Sequence, residues 1–514
     1  MTLSEGAYLT MTMLKTIFAV TAASMMVTAV AQAADLPVKA KAVEYVKICS
    51  AYGAGYYYIP GTDTCIKIGG YVRFESYYNA PQGAYPVNNA TGAFTRHSNT
   101  FAMQSRFRLT TDVRTQTEYG TLRSYFNFGF NVRNGINENV APGVSVALER
   151  AFIQFAGFTV GRTDTFFTLY NSSSYGYITA TLDGGTASTG VNVAAYTWQF
   201  GNGLTASVSL EDAMAHSKGV VDLGNAGSTA GVLGAAPFAS SNASDSMGAR
   251  MPDIVGNIRV DQGWGSAQVM GALHQVGARY NFTDTSPDCN GGGTNTTQCG
   301  HPDEKWGWAV GAGLTLKMPW DSKDTLSGQI AYAKGASSYV AFANSNNSLH
   351  TSGGIALGAF NDAVFGGVLP ANGGSTPLEL TETWGGSIAF QHYWTPSLRT
   401  SWVFGYMSVE YSDTAKALIA NLGARCVGTG ITINNAAFCD PDFSTWRVSS
   451  RTVWNPVRNL DVGLEVAYTE VNTAFGGGTG TLTAANNGLS TGTYAFEDEG
   501  VWSAALRVQR SFWP

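Results

Sequence analysis

Charge is scarce in this sequence. Asp, Glu, Lys and Arg make up 13% of its 514 residues, against roughly 25% in average soluble proteins, so much uncharged surface must be hidden or tolerated. Mean hydropathy is close to zero, which excludes a bundle of membrane-spanning helices, each needing about 20 mostly apolar residues. A basic tail or patch is also missing, and the formal net charge is −6; nucleic-acid binding is set aside. The six histidines, His97, His216, His274, His301, His350 and His392, are scattered, with no His-Glu-x-x-His stretch and no serine elbow among them, so no enzyme is expected. Glycine runs such as Gly476-Gly477-Gly478 lack the Lys and Ser or Thr of a phosphate loop. No cysteine pair has the two-to-four-residue spacing of zinc ligands, and no metal or cofactor is expected.

What is present is glycine (61 residues), aromatics (12%) and alternation. Lys15 precedes a mostly apolar stretch from Ile17 to Val30, followed by Ala31-Gln32-Ala33. That order is expected of an export signal over 1–33 with a mature start at Ala34, and Met11 or Met13 would give it a more usual beginning. The stretch is too short to serve as a membrane anchor. In an exported chain, Cys49 with Cys65, Cys289 with Cys299, and Cys426 with Cys439 are expected as three local disulfides.

Period-2 patterning is the strongest signal. From Met103 to Thr115 one face carries Met103, Ser105, Phe107, Leu109, Thr111 and Val113; the other carries Gln104, Arg106, Arg108, Thr110, Asp112 and Arg114. A helix would scatter both sets around its circumference, whereas a strand gathers every charge on one side. After Glu118-Tyr119-Gly120 the alternation resumes, with Arg123, Tyr125, Asn127, Asn131 and Arg133 opposite Leu122, Phe126, Phe128, Phe130 and Val132.

Sixteen such segments are predicted, at 66–78, 102–116, 120–133, 146–157, 158–163, 190–200, 203–211, 251–261, 264–275, 306–318, 325–334, 383–394, 398–410, 444–454, 459–471 and 497–513. Connections after the even strands are short, as in Ala156-Gly157, Gly201-Asn202 and Thr395-Pro396-Ser397; those after the odd strands are long. This rhythm fits an all-β, antiparallel, up-and-down transmembrane barrel with short periplasmic turns and long extracellular loops. Lipid offers the backbone no hydrogen-bond partner, so the sheet must close on itself. At sixteen strands the interior is wide enough for water.

Trp394 and Trp454 stand two residues before Pro396 and Pro456, and Trp306 and Trp320 flank another strand; rings there suit the headgroup level. The segment 34–65 is expected as a pre-barrel element and 66–514 as the barrel. The long loops around 212–250, 276–305 and 335–382 are rich in Asn, Ser, Thr and Gly, and are expected to lack the hydrophobic content to form domains of their own.

The run Ala34-Asp35-Leu36-Pro37-Val38-Lys39-Ala40, then Tyr58-Ile59-Pro60-Gly61-Thr62-Asp63-Thr64-Cys65-Ile66-Lys67-Ile68-Gly69-Gly70-Tyr71-Val72-Arg73, resembles the start of the general porins of alphaproteobacterial outer membranes. The ending Leu506-Arg507-Val508-Gln509-Arg510-Ser511-Phe512 is similar to a final-strand signal read by barrel-assembly machinery. The stretch from Glu149 to Arg162 resembles the hairpin before their constriction loop. The resemblance implies a homotrimer in outer-membrane lipid, a third long loop folded into the lumen, here from Thr163 to Thr189, and passive diffusion of small hydrophilic solutes and ions. By analogy Asp164 and Asp183 belong to the loop side of the constriction, and Arg73, Arg106, Arg108, Arg114, Arg123 and Arg162 to the opposing wall. Two alternatives stay open: a channel specific for a sugar or other nutrient, for which Tyr170, Tyr175 and Tyr177 could serve as an aromatic slide, and a plugged surface barrel with an adhesive or structural role.

Overall fold

The computed structural model describes residues 47–80, 99–134, 143–178, 190–223, 245–280, 300–341, 346–349, 354–366, 376–421, 431–433, 438–482 and 490–512. Sixteen long strands form the barrel: β1 Thr64–Tyr78, β2 Phe101–Thr117, β3 Gly120–Arg133, β4 Gly143–Phe155, β5 Phe158–Thr163, β6 Val191–Gly201, β7 Leu204–Glu211, β8 Asp253–Gln262, β9 Gly265–Val276, β10 Lys305–Lys317, β11 Thr325–Lys334, β12 Glu382–Thr395, β13 Leu398–Glu410, β14 Phe443–Trp454, β15 Leu460–Asn472 and β16 Glu499–Ser511. Each pairs antiparallel with the next. β1 pairs with β2 on one side and with β16 on the other, from Tyr71 opposite Ser511 to Tyr78 opposite Ala504, so the cylinder closes.

The predicted strands agree with these bounds to within a few residues, because alternation fixes both the strand and its faces. Val72, Phe74, Phe107, Phe126, Val146, Ile258, Val310, Ile388, Phe404 and Trp502 are exposed on the outside, where a barrel in a membrane meets hydrocarbon. Trp306, Trp320, Trp394 and Trp454 are exposed as well. The tightest turns need left-handed backbone: Ala156 (φ 48°) with Gly157 (φ 89°), and Asn202 (φ 50°) with Gly203 (φ 74°). Two adjacent positive φ values match the twist of the strands they join.

At the periplasmic end, Tyr57–Tyr58 adds a two-residue strand to β1 at Cys65 and Ile66, below the reach of β16. Cys49 and Cys65 are joined by a disulfide, with Cα atoms 6.0 Å apart. Cys439 is also disulfide-bonded; Cys289, Cys299 and Cys426 lie outside the described residues.

The outer connections pack together above the barrel's inner wall. Ile355, Leu357, Phe360, Val364, Phe475 and Phe496 come from two connections, yet they bury together against the inward-facing Met407, Val409 and Phe443. No single loop holds enough apolar surface for a core. Pooled across loops and backed by the barrel's upper inner wall, the surface suffices.

Candidate functional site

The connection after β5 turns into the lumen, and polar side chains of the inner wall hold it there strand by strand. The Phe166 N–H donates to Glu211 of β7 (2.8 Å), and Asn257 of β8 donates to the Phe166 carbonyl (2.6 Å). The Leu169 N–H donates to Gln329 of β11 (3.0 Å), and Tyr175 shares a hydrogen bond with Ser327 (2.8 Å). Arg451 of β14 donates to the Ser174 carbonyl (2.9 Å). Finally Glu465 of β15 accepts from the Tyr177 and Ile178 amides, while Arg447 bonds both Glu465 (2.7 Å) and the Ile178 carbonyl (2.6 Å). A backbone taken out of water must find partners; here the inward positions of the strands supply them. Phe167 packs among Val255, Met270, Ala272, Ala309 and Ala331, small enough to leave it room. Tyr170 and Tyr177 are buried, so these tyrosines fasten the loop rather than form a slide.

Beside this loop, on the inner wall, runs a belt of guanidiniums. Arg73 of β1 and Arg106 of β2 are cross-strand neighbours, as are Tyr71 and Arg108. Arg106 and Arg108 both pair with Glu149 of β4, which is 2% exposed. A bulge explains the geometry: Asn127 faces Arg150 while Phe128 faces Leu148, so both Glu149 and Arg150 reach the lumen. Arg73 donates to Gln509 (2.8 Å) and lies 3.6 Å from Glu75; Arg507 of β16 donates to Glu75 (2.6 Å). The Arg507 guanidinium also sits 3.9 Å from the centre of the Tyr177 ring, and Arg451 lies 5.1 Å away.

The named residues divide. Arg73, Arg106 and Arg108 meet at mid-barrel. Arg114 and Arg123 lie near the periplasmic rim and both pair with Asp112 at 2.9 Å. There Tyr52 and Tyr56 stack within 5.6 Å of Arg114, and burial together with the Asp112 carboxylate pushes the Tyr56 phenol up to about 12. Arg162 corrects the sequence expectation. Its register neighbours are Ala151 and Asn192, on the face where Phe126, Ile153 and Val160 are exposed, so it stands on the outer side of β5 and not on the lumen wall. Asp164, at the root of the loop, pairs with Arg150. Asp183 lies outside the described residues.

Sequence reasoning missed Glu75, Glu149, Glu465, Arg447, Arg451 and Arg507. All but Glu149 follow from alternation, since Arg447, Ser449 and Arg451 share a face, as do Glu465 and Ala467. Only the bulge at Glu149 leaves no period to follow.

The family described as "Porin subfamily" matches residues 35–503. Porin Omp2b of Brucella suis biovar 1 (strain 1330) is 30% identical over 324 residues, covering 59% of this chain and 80% of that one. Porin Omp2b of Brucella neotomae is 31% identical over 263 residues, covering 49% and 64%. Among solved structures, the outer membrane channel DcaP of Acinetobacter baumannii has a TM-score of 0.55 at 14% identity, covering 88% of this chain and 99% of that one, a likeness of fold alone. With a closed sixteen-strand cylinder and a family match over nearly its whole length, the chain belongs to the porin subfamily.

Proposed function

We propose that the mid-barrel belt gives this outer-membrane channel, through which small hydrophilic solutes diffuse passively, a preference for anions. One observation carries the reading. Around the inward loop, six guanidiniums (Arg73, Arg106, Arg108, Arg447, Arg451 and Arg507) face three carboxylates (Glu75, Glu149 and Glu465). Among the described residues of the belt the excess is three positive charges. Arg150 and Asp164 cancel. Low-dielectric walls strengthen the field of such fixed charges at a narrowing. The Arg108 side chain, at mid-barrel, is 24% exposed, which supports a water-reached lumen over a plugged one. Transport of this kind is diffusion and needs no catalytic group.

The proposed assembly is a homotrimer made after export and cleavage of 1–33, with lipid and the barrel-assembly machinery as its other partners. Tryptophan distribution supports a subunit-facing sector. The first of twelve tryptophans is Trp198, so the outer face of β1–β5 carries Val72, Phe74, Phe126, Phe130, Val146 and Ile153 but none of the indoles that anchor at lipid headgroups.

Reversal potential in unequal potassium chloride, measured on single channels, tests the charge reading. A potential of anion-selective sign is expected, and a cation-selective or null potential would refute it.

A further inference from the structure

Above the belt, the rim of β7–β9 buries ionisable side chains that selectivity does not use. Glu211 accepts both the Phe166 N–H and the Ser209 hydroxyl (2.8 Å each), and its second oxygen faces His216 Nε2 at 3.3 Å. His216 ends the short helix Ala213–His216, and its ring stacks on Tyr339 with centroids 4.3 Å apart. Tyr339 also packs against Phe167 of the inward loop (4.9 Å) and donates to Asp253 (2.7 Å). Asp253 bonds His274 Nδ1 (2.7 Å), whose Nε2 lies 3.9 Å from Asp362. Asp362 accepts the backbone N–H groups of Lys218 (2.5 Å) and Ser337 (2.9 Å). None of Glu211, His216, Asp253, His274, Tyr339 and Asp362 is more than 3% exposed. Around them lie Lys218, whose ammonium is 5.6 Å from the Phe360 ring, the buried Asp222, and the ion pair of Asp245 with Arg279.

The cluster joins three segments that are distant in sequence. Residues 164–167 root the inward loop, 213–222 follow β7, and 337–341 with 361–365 follow β11; Val220–Asp222 and Ala363–Phe365 also pair as parallel strands. We propose that it is a proton-operated latch: acid holds the root of the inward loop to the outer connections, and rising pH frees it.

Charge supplies the physical reason. Three buried carboxylates, Glu211, Asp253 and Asp362, face one ammonium and two imidazoles, so the inner group carries excess negative charge until it binds protons. Imidazoles change charge between about pH 5 and 8, and here each proton arrives beside a carboxylate. Losing them leaves buried charge uncompensated, which folded proteins tolerate poorly. Burial pushes the Asp362 carboxyl above its usual range, so the held arrangement binds that proton more readily than the released one, and acid again favours holding. Burial also pulls the Lys218 ammonium down to about 8, which works in the opposite sense on the alkaline side, so the latch operates below that pH. Among the described residues the buried Nδ1 atom of His216 has no hydrogen-bond partner, and Glu211 is the carboxylate beside its other nitrogen.

The proposal rests on residues 164–178 being the channel's narrowing, and two measurements separate the claims. Amide hydrogen exchange on the full chain in lipid nanodiscs, corrected for intrinsic rate, is expected to lose about tenfold protection over 164–170 and 213–223 between about pH 5.5 and about pH 7.5. The pair His216→Gln with His274→Gln should weaken that dependence, leaving only the part that Asp362 supplies, while Tyr339→Phe, which removes a hydrogen bond but no imidazole, should retain it in full. Protection that does not change with pH in the unaltered chain overturns the latch, whether or not the histidine variant folds; so does an unchanged dependence in that variant. Protection that changes while single-channel conductance stays constant upholds the latch and refutes the loop as the narrowing.

Discussion

Arg106 and Arg114 stand on the same face of the same strand, about 27 Å apart at ~3.4 Å per residue, and they live in different surroundings. Arg106 shares Glu149 with Arg108 in a belt where guanidiniums outnumber carboxylates. Arg114 shares Asp112 with Arg123 under a lid of tyrosines, beside the disulfide-tied hairpin. On the proposed reading the first group acts on what passes, while the second ties Asp112 to two strands at the periplasmic rim. Identical side chains in one alternating pattern thus divide by depth and by the carboxylate each finds across the sheet.

Four experiments break or sharpen this contrast. Replacing Arg106 and Arg108 by Glu should move the permeability ratio toward cations by about tenfold or more, since a few kcal/mol act between charges in close range; an unchanged reversal potential would remove both from the conduction path. Glu149→Gln leaves two guanidiniums without their carboxylate, and anion preference should rise about threefold; a fall would mean that the pair does not face the ions. Arg114→Gln should leave the reversal potential where it was and lower stability by about 1 kcal/mol, read by thermal unfolding in detergent, because its partner is buried while it is partly solvated. Removing the disulfide with Cys49→Ser and Cys65→Ser should touch neither conductance nor selectivity. It should speed proteolysis of the amino-terminal hairpin, whose closed loop is of the length for which about 3 kcal/mol of chain entropy is at stake.

Much of this fold is legible in the sequence because a barrel wall between lipid and water writes its geometry as an alternation. The same rule places Arg73, Arg106 and Arg108 inside. Applied strictly it also places Arg162 outside, since Phe158, Val160 and Arg162 share one face of β5, and assigning Arg162 by analogy overrode that period. Other features have no local signature. The bulge at Glu149 reverses parity in mid-strand, the clasp of Arg447 and Glu465 on Ile178 joins residues far apart in the chain, and the outer core is assembled from several loops that look polar singly. The last two depend on contacts across the lumen and between loops, which no window of sequence contains.

Closure itself has a consequence for how the molecule comes to exist. The hydrogen bonds from Tyr71–Tyr78 to Ala504–Ser511 zip the earliest strand to the latest. A chain without Ala504–Ser511 would leave the first and fifteenth strands with unpaired edges that hydrocarbon cannot satisfy, so truncation before Ala504 is expected to prevent a stable barrel from forming.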